Sequence, residues 1–145
     1  AATYIEQYFL HYAEVRRWLD RTIEEAHLRG YVTTILGRRR YIPLLSSRND
    51  TDRSAGERIA ANTPIQGSAA DLCKLAMLAI DRAIPTSAPG ARMLLQIHDE
   101  LVFECPDAEV DALAAMVKEK MERPYPLRVP LVATVGVGAS WGDAH

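Results

Sequence analysis

His98, Asp99 and Glu100 carry the strongest chemical signal in the chain, at the centre of Met93-Leu94-Leu95-Gln96-Ile97-His98-Asp99-Glu100-Leu101-Val102-Phe103. Two apolar runs around a short polar break pair readily as a β-hairpin. Two-residue hairpin turns prefer Asn-Gly or Asp-Gly, because the favoured turns need positive φ. A His-Asp tip gives up that advantage, and such departures concentrate at functional positions. Two adjacent acids between apolar strands also repel one another unless a cation or basic partners neutralise them. Carboxylate oxygens suit a hard cation such as Mg²⁺, which takes only one or two protein carboxylates. On these residues alone, an exposed polar turn fits as well as a cation site.

Two further groups suit a polyanion. Arg58, Asn62 and Gln66 recur at spacings of four, and all three donate hydrogen bonds. The minor groove of a duplex offers acceptors at every base pair, so donors placed there feel pairing geometry without reading sequence. A solvated helix face explains the same pattern with no ligand. Arg38, Arg39 and Arg40 follow Gly37, and guanidinium groups bind phosphate oxygens in bidentate fashion. Basic clusters occur on unliganded loops too.

The elements that must position these groups can be read in order. Thr3 and Glu6 form a capping-box pattern. Tyr4, Tyr8, Tyr12, Val15, Leu19, Ile23 and Ala26 then mark one stripe of a single long helix that Gly30 ends. The tyrosines read as packing rather than chemistry. Residues 31–42 suggest a β-ribbon turning near Gly37 and stopped by Pro43. Ser54 and Glu57 form a second capping box, and the helix they start must bend or restart at Pro64, which has no N–H to give Ala60. A helix from Ile65 to about Ile84 follows, with Ile65, Ala69, Leu72, Ala76, Ala79 and Ala83 on one side. After the hairpin of residues 91–105, acids at Asp107, Glu109 and Asp111 and bases at Lys118, Lys120 and Arg123 match the dipole of another helix. Residues 129–137 read as a final strand. The fold class is α+β, with helices packed on a small, mostly antiparallel sheet.

Composition sets outer bounds. With 145 residues, 48% of them apolar and 25% charged, the chain can bury a core. No apolar run reaches the roughly 18 residues that span a bilayer. The net charge of −2 hides a division: residues 29–66 carry seven arginines against three acids, and residues 67–145 carry seven bases against eleven acids. A basic stretch beside an acidic one suits a polyanion path next to a metal site, and equally suits two solvated surfaces. Cys73 and Cys105 match no metal or redox spacing and read as small buried hydrophobes in a reducing, intracellular setting. The start, Ala1-Ala2-Thr3-Tyr4, resembles neither an initiator methionine nor a signal peptide, and reads as a cut from a longer chain.

Asn62-Thr63-Pro64-Ile65-Gln66-Gly67-Ser68-Ala69-Ala70-Asp71, followed by Gln96-Ile97-His98-Asp99-Glu100-Leu101-Val102, resembles the family A DNA polymerases. Gly30-Tyr31-Val32-Thr33-Thr34, Leu36-Gly37-Arg38-Arg39-Arg40-Tyr41, Val129-Pro130-Leu131, Val135-Gly136 and Trp141 fit the same family, so the resemblance runs nearly the whole length. It implies that residues 1–45 are the C-terminal part of a helical fingers subdomain and residues 46–145 the C-terminal part of a palm, with the hairpin as motif C. Asp99 then matches the metal-ligating aspartate, Glu100 its lesser acidic neighbour, and His98 a residue supporting the primer end. Arg58, Asn62 and Gln66 match minor-groove contacts, and Arg40 an arginine near the template backbone. The implied partners are primer–template DNA, deoxynucleoside triphosphates, two Mg²⁺ ions and the upstream remainder of the polymerase chain, in a cytoplasmic, nucleoid-associated enzyme with no membrane contact.

Leu44 and Thr134 depart from the pattern, standing where acids are common, and bear on supporting electrostatics only. The family's second metal-binding aspartate, its nucleotide-binding fingers helix and an exonuclease domain are not in these residues, so the 145 residues alone are expected to be inactive. Single-subunit RNA polymerases, whose palm is related, are the nearest rival. A nucleic-acid-binding module with a decayed site is the rival of another class.

Overall fold

The computed structural model describes residues 2–144, with side chains from Gln7 to Ala144. The chain divides into two compact units between residues 69 and 70.

The first unit holds helices α1 (Ala2–His11) and α2 (Ala13–Arg29), strands β1 (Tyr31–Thr33) and β2 (Arg39–Tyr41), a 3₁₀ turn (Pro43–Ser46) and the first half of helix α3 (Asp50–Ser87). The expected single N-terminal helix is two, because Tyr12 leaves the helical region at φ −112° and ψ 56°. Tyr8 and Tyr12 are exposed and their rings lie 4.8 Å apart, so these tyrosines pack on each other rather than in the core. The Thr3–Glu6 capping box and Tyr4 lie outside the described side chains. Gly30 ends α2 as expected: at φ 74° it gives its N–H to the Ala26 carbonyl at 2.8 Å, a conformation that costs glycine nothing. The ribbon is also as expected, antiparallel, with Tyr31 opposite Tyr41 and Thr33 opposite Arg39. Its core is Ala26, Val32, Ile42, Leu45 and Ala60, with Ile59 packed against it.

Helix α3 differs from expectation at its start, and of the bend or restart expected at Pro64 the restart does not occur. Asn49 caps it, accepting the Thr51 N–H at 2.8 Å and the Asp52 N–H at 3.4 Å on Oδ1. Asn is among the strongest N-caps and comes earlier in the chain than Ser54, which the helix therefore swallows. Glu57 instead meets His27, Oε1 to Nε2, at 3.0 Å. The helix neither stops nor restarts at Pro64, and runs on to Ser87. Proline removes one backbone bond there, and a 38-residue ladder tolerates the loss.

The second unit packs the rest of α3 against strands β3 (Arg92–Ile97) and β4 (Glu100–Glu104) and helix α4 (Val110–Glu122). Ala76, Ile80, Ala88, Ala91, Leu113 and Met116 are buried, and Met93, Leu101, Phe103 and Cys105 pack against them from the hairpin. Truncating a wholly buried side chain such as Ile80 to alanine removes about 2–5 kcal/mol. Two expectations fail here. Residues 129–137 form no strand, and the sheet is two separate two-stranded ribbons. A β-prone segment becomes a strand only when another strand takes its backbone groups, and among the described residues none does so. Val129, Val132 and Val137 stay exposed.

Gly67 is the glycine of the first unit where an added Cβ would meet the closest atom. A Cβ there would sit 2.8 Å from Thr34 Cγ2, a short, stiff and buried side chain. Alanine in a helix interior ordinarily gains about 1 kcal/mol over glycine, but overpacking costs about 1–3 kcal/mol. Gly67→Ala is therefore expected to lower stability by up to about 2 kcal/mol, and Thr34→Ser, which deletes the opposing methyl, to relieve it. Denaturant midpoints of both single variants and the double variant check this. Additive effects, or a stabilised Gly67→Ala, would show that the close approach is absent.

Candidate active site

The acidic tip is built by the β3–β4 hairpin. Ile97 pairs with Glu100, Gln96 with Leu101 and Leu95 with Val102, leaving His98 and Asp99 as a two-residue turn. His98 has φ +54°, and no other non-glycine among the described residues has positive φ. Positive φ at the first central position alone is the sign pattern of a type II′ turn, where glycine is the usual choice. A left-handed conformation costs a residue with a Cβ about 1–2 kcal/mol. Gln96 Nε2 donates to the His98 carbonyl at 3.0 Å and helps hold it. A register shift between Met93 and Leu95 leaves Leu94 as an extra residue, and such a bulge twists and re-aims the strand.

His98, Asp99 and Glu100 are all exposed at this tip. Among the described residues no three His, Cys, Asp or Glu side chains gather to hold a metal. The tip supplies two adjacent hard carboxylates, a donor set that fits the one or two protein ligands Mg²⁺ takes. Cys73, on the second half of α3, lies within electrostatic reach. Burial pushes its thiol above the ordinary value, the Asp99 carboxylate pushes it further, and Lys74 acts the other way. Asp71, one turn earlier, is only 2% exposed, with Lys74 Nζ 4.0 Å from its Oδ1.

In the first unit, Arg58, Asn62 and Gln66 are exposed on successive turns of α3. At 3.6 residues per turn they span about 80° of helix surface, one face. The adjoining face receives the β1–β2 ribbon. Arg40 Nη1 donates to Thr63 Oγ1 at 3.1 Å, and the Ile35 N–H to Ser68 Oγ at 2.8 Å, either side of the Gly67 joint. The arginine of the ribbon is thereby fixed relative to the helix that carries the three donors. Arg39 lies on the ribbon's other side, with its guanidinium carbon 4.9 Å from the Tyr31 ring centre.

Sequence reasoning missed three parts of this arrangement: the docking by Thr63, Gly67 and Ser68, the Arg39–tyrosine cluster, and the electrostatic influence of Asp99 on Cys73. Only the first left a trace, as a Gly-Ser pair inside a helical pattern, which breaks local propensity and so signals a packing demand.

The electrostatic influence of Asp99 on Cys73 has a measurable sign. The Asp99 charge opposes the thiolate, so in a Cys105→Ser background Asp99→Asn should speed alkylation of Cys73 by iodoacetamide severalfold near pH 8. The thiolate is the reacting species, and removing a like charge populates it at lower pH. An unchanged rate would place the carboxylate out of reach of the thiol.

Residues 1–143 match the model of DNA polymerase family A. The chain is similar to a thermostable DNA polymerase I of Thermus thermophilus, 50% identical over 144 residues, which are 99% of this chain and 17% of that protein. It is similar also to DNA polymerase I of Mycobacterium leprae, 51% identical over 140 residues, 97% of this chain and 15% of that protein. Among solved structures it resembles the POL domain of Pol1 from M. smegmatis, in complex with DNA primer-template and dNTP, with a TM-score of 0.91 and 48% identity over 97% of this chain and 25% of that one. The chain thus spans about a sixth of these curated relatives, and its fold and nearly all of its residues align with them. On this match, the chain belongs to DNA polymerase family A.

Proposed function

We propose that this chain is the C-terminal part of a DNA-directed DNA polymerase, a nucleotidyltransferase that extends a primer 3′-end on a template in replication or repair. The observation that carries the reading is the acidic pair Asp99–Glu100, presented by a two-residue turn that adopts positive φ without glycine. Likeness to a polymerase domain described in complex with primer-template and dNTP supports DNA and nucleotide as partners. Residues 1–45 are assigned to the fingers and 46–145 to the palm. The exposed valines of residues 129–137, a segment in no strand ladder, suit completion by strands of the remaining polymerase chain.

In this reading the primer 3′-hydroxyl attacks the α-phosphate of a deoxynucleoside triphosphate, and the bond to pyrophosphate breaks as the new ester forms. Asp99, with Glu100 as the lesser contributor, would hold Mg²⁺ together with an aspartate from the remainder of the chain. When bound, the two ions supply positive charge that acidifies the attacking hydroxyl and stabilises the attacking and leaving oxygens. His98 supports the primer end. Arg58, Asn62 and Gln66 donate to minor-groove acceptors and sense the shape of the base pair, and Arg40 meets a template phosphate. Positioning and electrostatics supply most phosphoryl-transfer catalysis, so the 145 residues alone are expected to be inactive. The enzyme would work in the bacterial cytoplasm, at the nucleoid, and no helix among the described residues is long and apolar enough to cross a membrane.

In a full-length chain carrying these residues, Asp99→Asn should lower Mg²⁺-dependent primer extension by more than about 10²–10³-fold, the scale of losing one preorganised electrostatic contact. Affinity for primer–template should change little. Near-wild-type extension would remove Asp99 from the mechanism. Arg58→Ala and Gln66→Ala should each slow extension from matched ends regardless of template sequence, since the contacted acceptors occur at every base pair. A strong preference for particular terminal pairs in primer-extension rates would contradict the minor-groove role.

A further inference from the structure

The two faces of the β1–β2 ribbon are used differently. Val32 and Arg40, opposite one another, face the core and helix α3: Val32 is buried and Arg40 bonds Thr63. Alternation places Tyr31, Tyr41, Thr33 and Arg39 on the other face. There the tyrosine rings lie 5.4 Å apart, and the Arg39 guanidinium stands over the Tyr31 ring, 4.9 Å from its centre. Tyr41 is 65% exposed, so this cluster is not core. Beside it runs an open groove whose walls include Trp18, Arg21, Arg29 and Tyr31. Glu25 also lines the groove and pairs with Arg29 at 3.4 Å, so Arg21 is the other positive charge in its walls.

A cross-strand tyrosine pair stabilises a ribbon by only about 0.2–1 kcal/mol and needs no guanidinium. An exposed ring such as Tyr41, backed by the half-buried Tyr31 and beside an oriented cation, is instead what a flexible polyanion with flat bases requires. Stacking accepts any base because every base has a π-face, and the cations follow the phosphates. A duplex hides its base faces, so only an unpaired strand can use the rings.

We propose that the Tyr31–Tyr41 face with Arg39, continued by the groove at Trp18 and Arg21, binds an unpaired nucleic-acid strand. A base stacks on the tyrosines, its phosphate meets Arg39, and the neighbouring nucleotide enters the groove. The inference rests on the polymerase reading, in which the strand is the template outside the primer–template duplex.

The test is fluorescence anisotropy with the full-length chain, using a labelled primer–template hairpin that is either blunt or carries a short oligo(dT) 5′ overhang. Tyr41→Ala should weaken binding of the overhanging DNA about 5- to 100-fold, the range for one lost base stack, and leave blunt-duplex affinity unchanged. Tyr41→Phe, which keeps the ring, should bind both like wild type. Arg39→Gln should lower overhang affinity and flatten its salt dependence by about 0.7 in log–log slope, the value for one single-strand phosphate contact. If wild type extends primers but Tyr41→Ala changes both affinities equally, or neither, this inference fails and the polymerase reading stands. A wild-type chain that neither extends primers nor binds the blunt duplex overturns both.

Discussion

Two carboxylates on adjacent residues, raised on the end of an apolar hairpin, are the feature around which the second unit is organised. They repel each other, and the turn that presents them is not one that these residues favour. His98 holds φ +54° where glycine would relax. The strands around it leave no alternative, since slipping the register by one residue would turn Met93, Leu101 and Phe103 away from the core they share with Ile80 and Leu113. Packing worth several kcal/mol therefore enforces a turn strained by about 1–2 kcal/mol. The bulge at Leu94 and the Gln96 amide then set where the tip points.

The first unit solves a different problem, that of fixing arginines and amide donors in one frame. Long polar side chains lose rotamer entropy when ordered, so the frame must be stiff. Stiffness comes from a close joint, Gly67 against Thr34, flanked by the Thr63 and Ser68 hydroxyls. The same joint leaves one ribbon face on the helix and turns the other, with its tyrosines and Arg39, outward.

The parts of this arrangement visible in the sequence are those written locally. Two apolar runs around His98-Asp99 and the Gly30 stop each need only neighbouring residues, and each is present in the structure. Of the charge gradient expected for α4 (Val110–Glu122), Asp107 and Glu109 fall in a separate 3₁₀ turn and only Asp111 and Lys120 lie in the helix's end turns. The extra residue at Leu94 could not be read, because Leu94 and Leu95 are equally apolar. Asn49 does not stand out as a cap in the sequence, because Ser47, Asp50, Thr51 and Asp52 beside it are cap formers too and the direction of chain entry decides among them. The break at Tyr12 has no glycine or proline to announce it. Residues 129–137 carry strand propensity, but pairing is a tertiary event. Ile65 lies on the predicted apolar side of α3 yet is 62% exposed, since within its unit the neighbouring Thr63 and Gly67 take the ribbon. Cys73 and Asp99 are 26 residues apart in sequence, and no local pattern links them.

The central claim is that a divalent cation binds at Asp99, and paramagnetic broadening by Mn²⁺ tests it directly. In the full-length chain with isotope-labelled histidines, bound to primer–template, a substoichiometric Mn²⁺ addition reports which imidazole is nearest the ion. His98 is adjacent to Asp99 in sequence, and the same addition to Asp99→Asn is the reference. The account predicts that the His98 signal broadens first and that Asp99→Asn abolishes the effect. A His98 signal that stays sharp, or broadening that persists in Asp99→Asn, would contradict it.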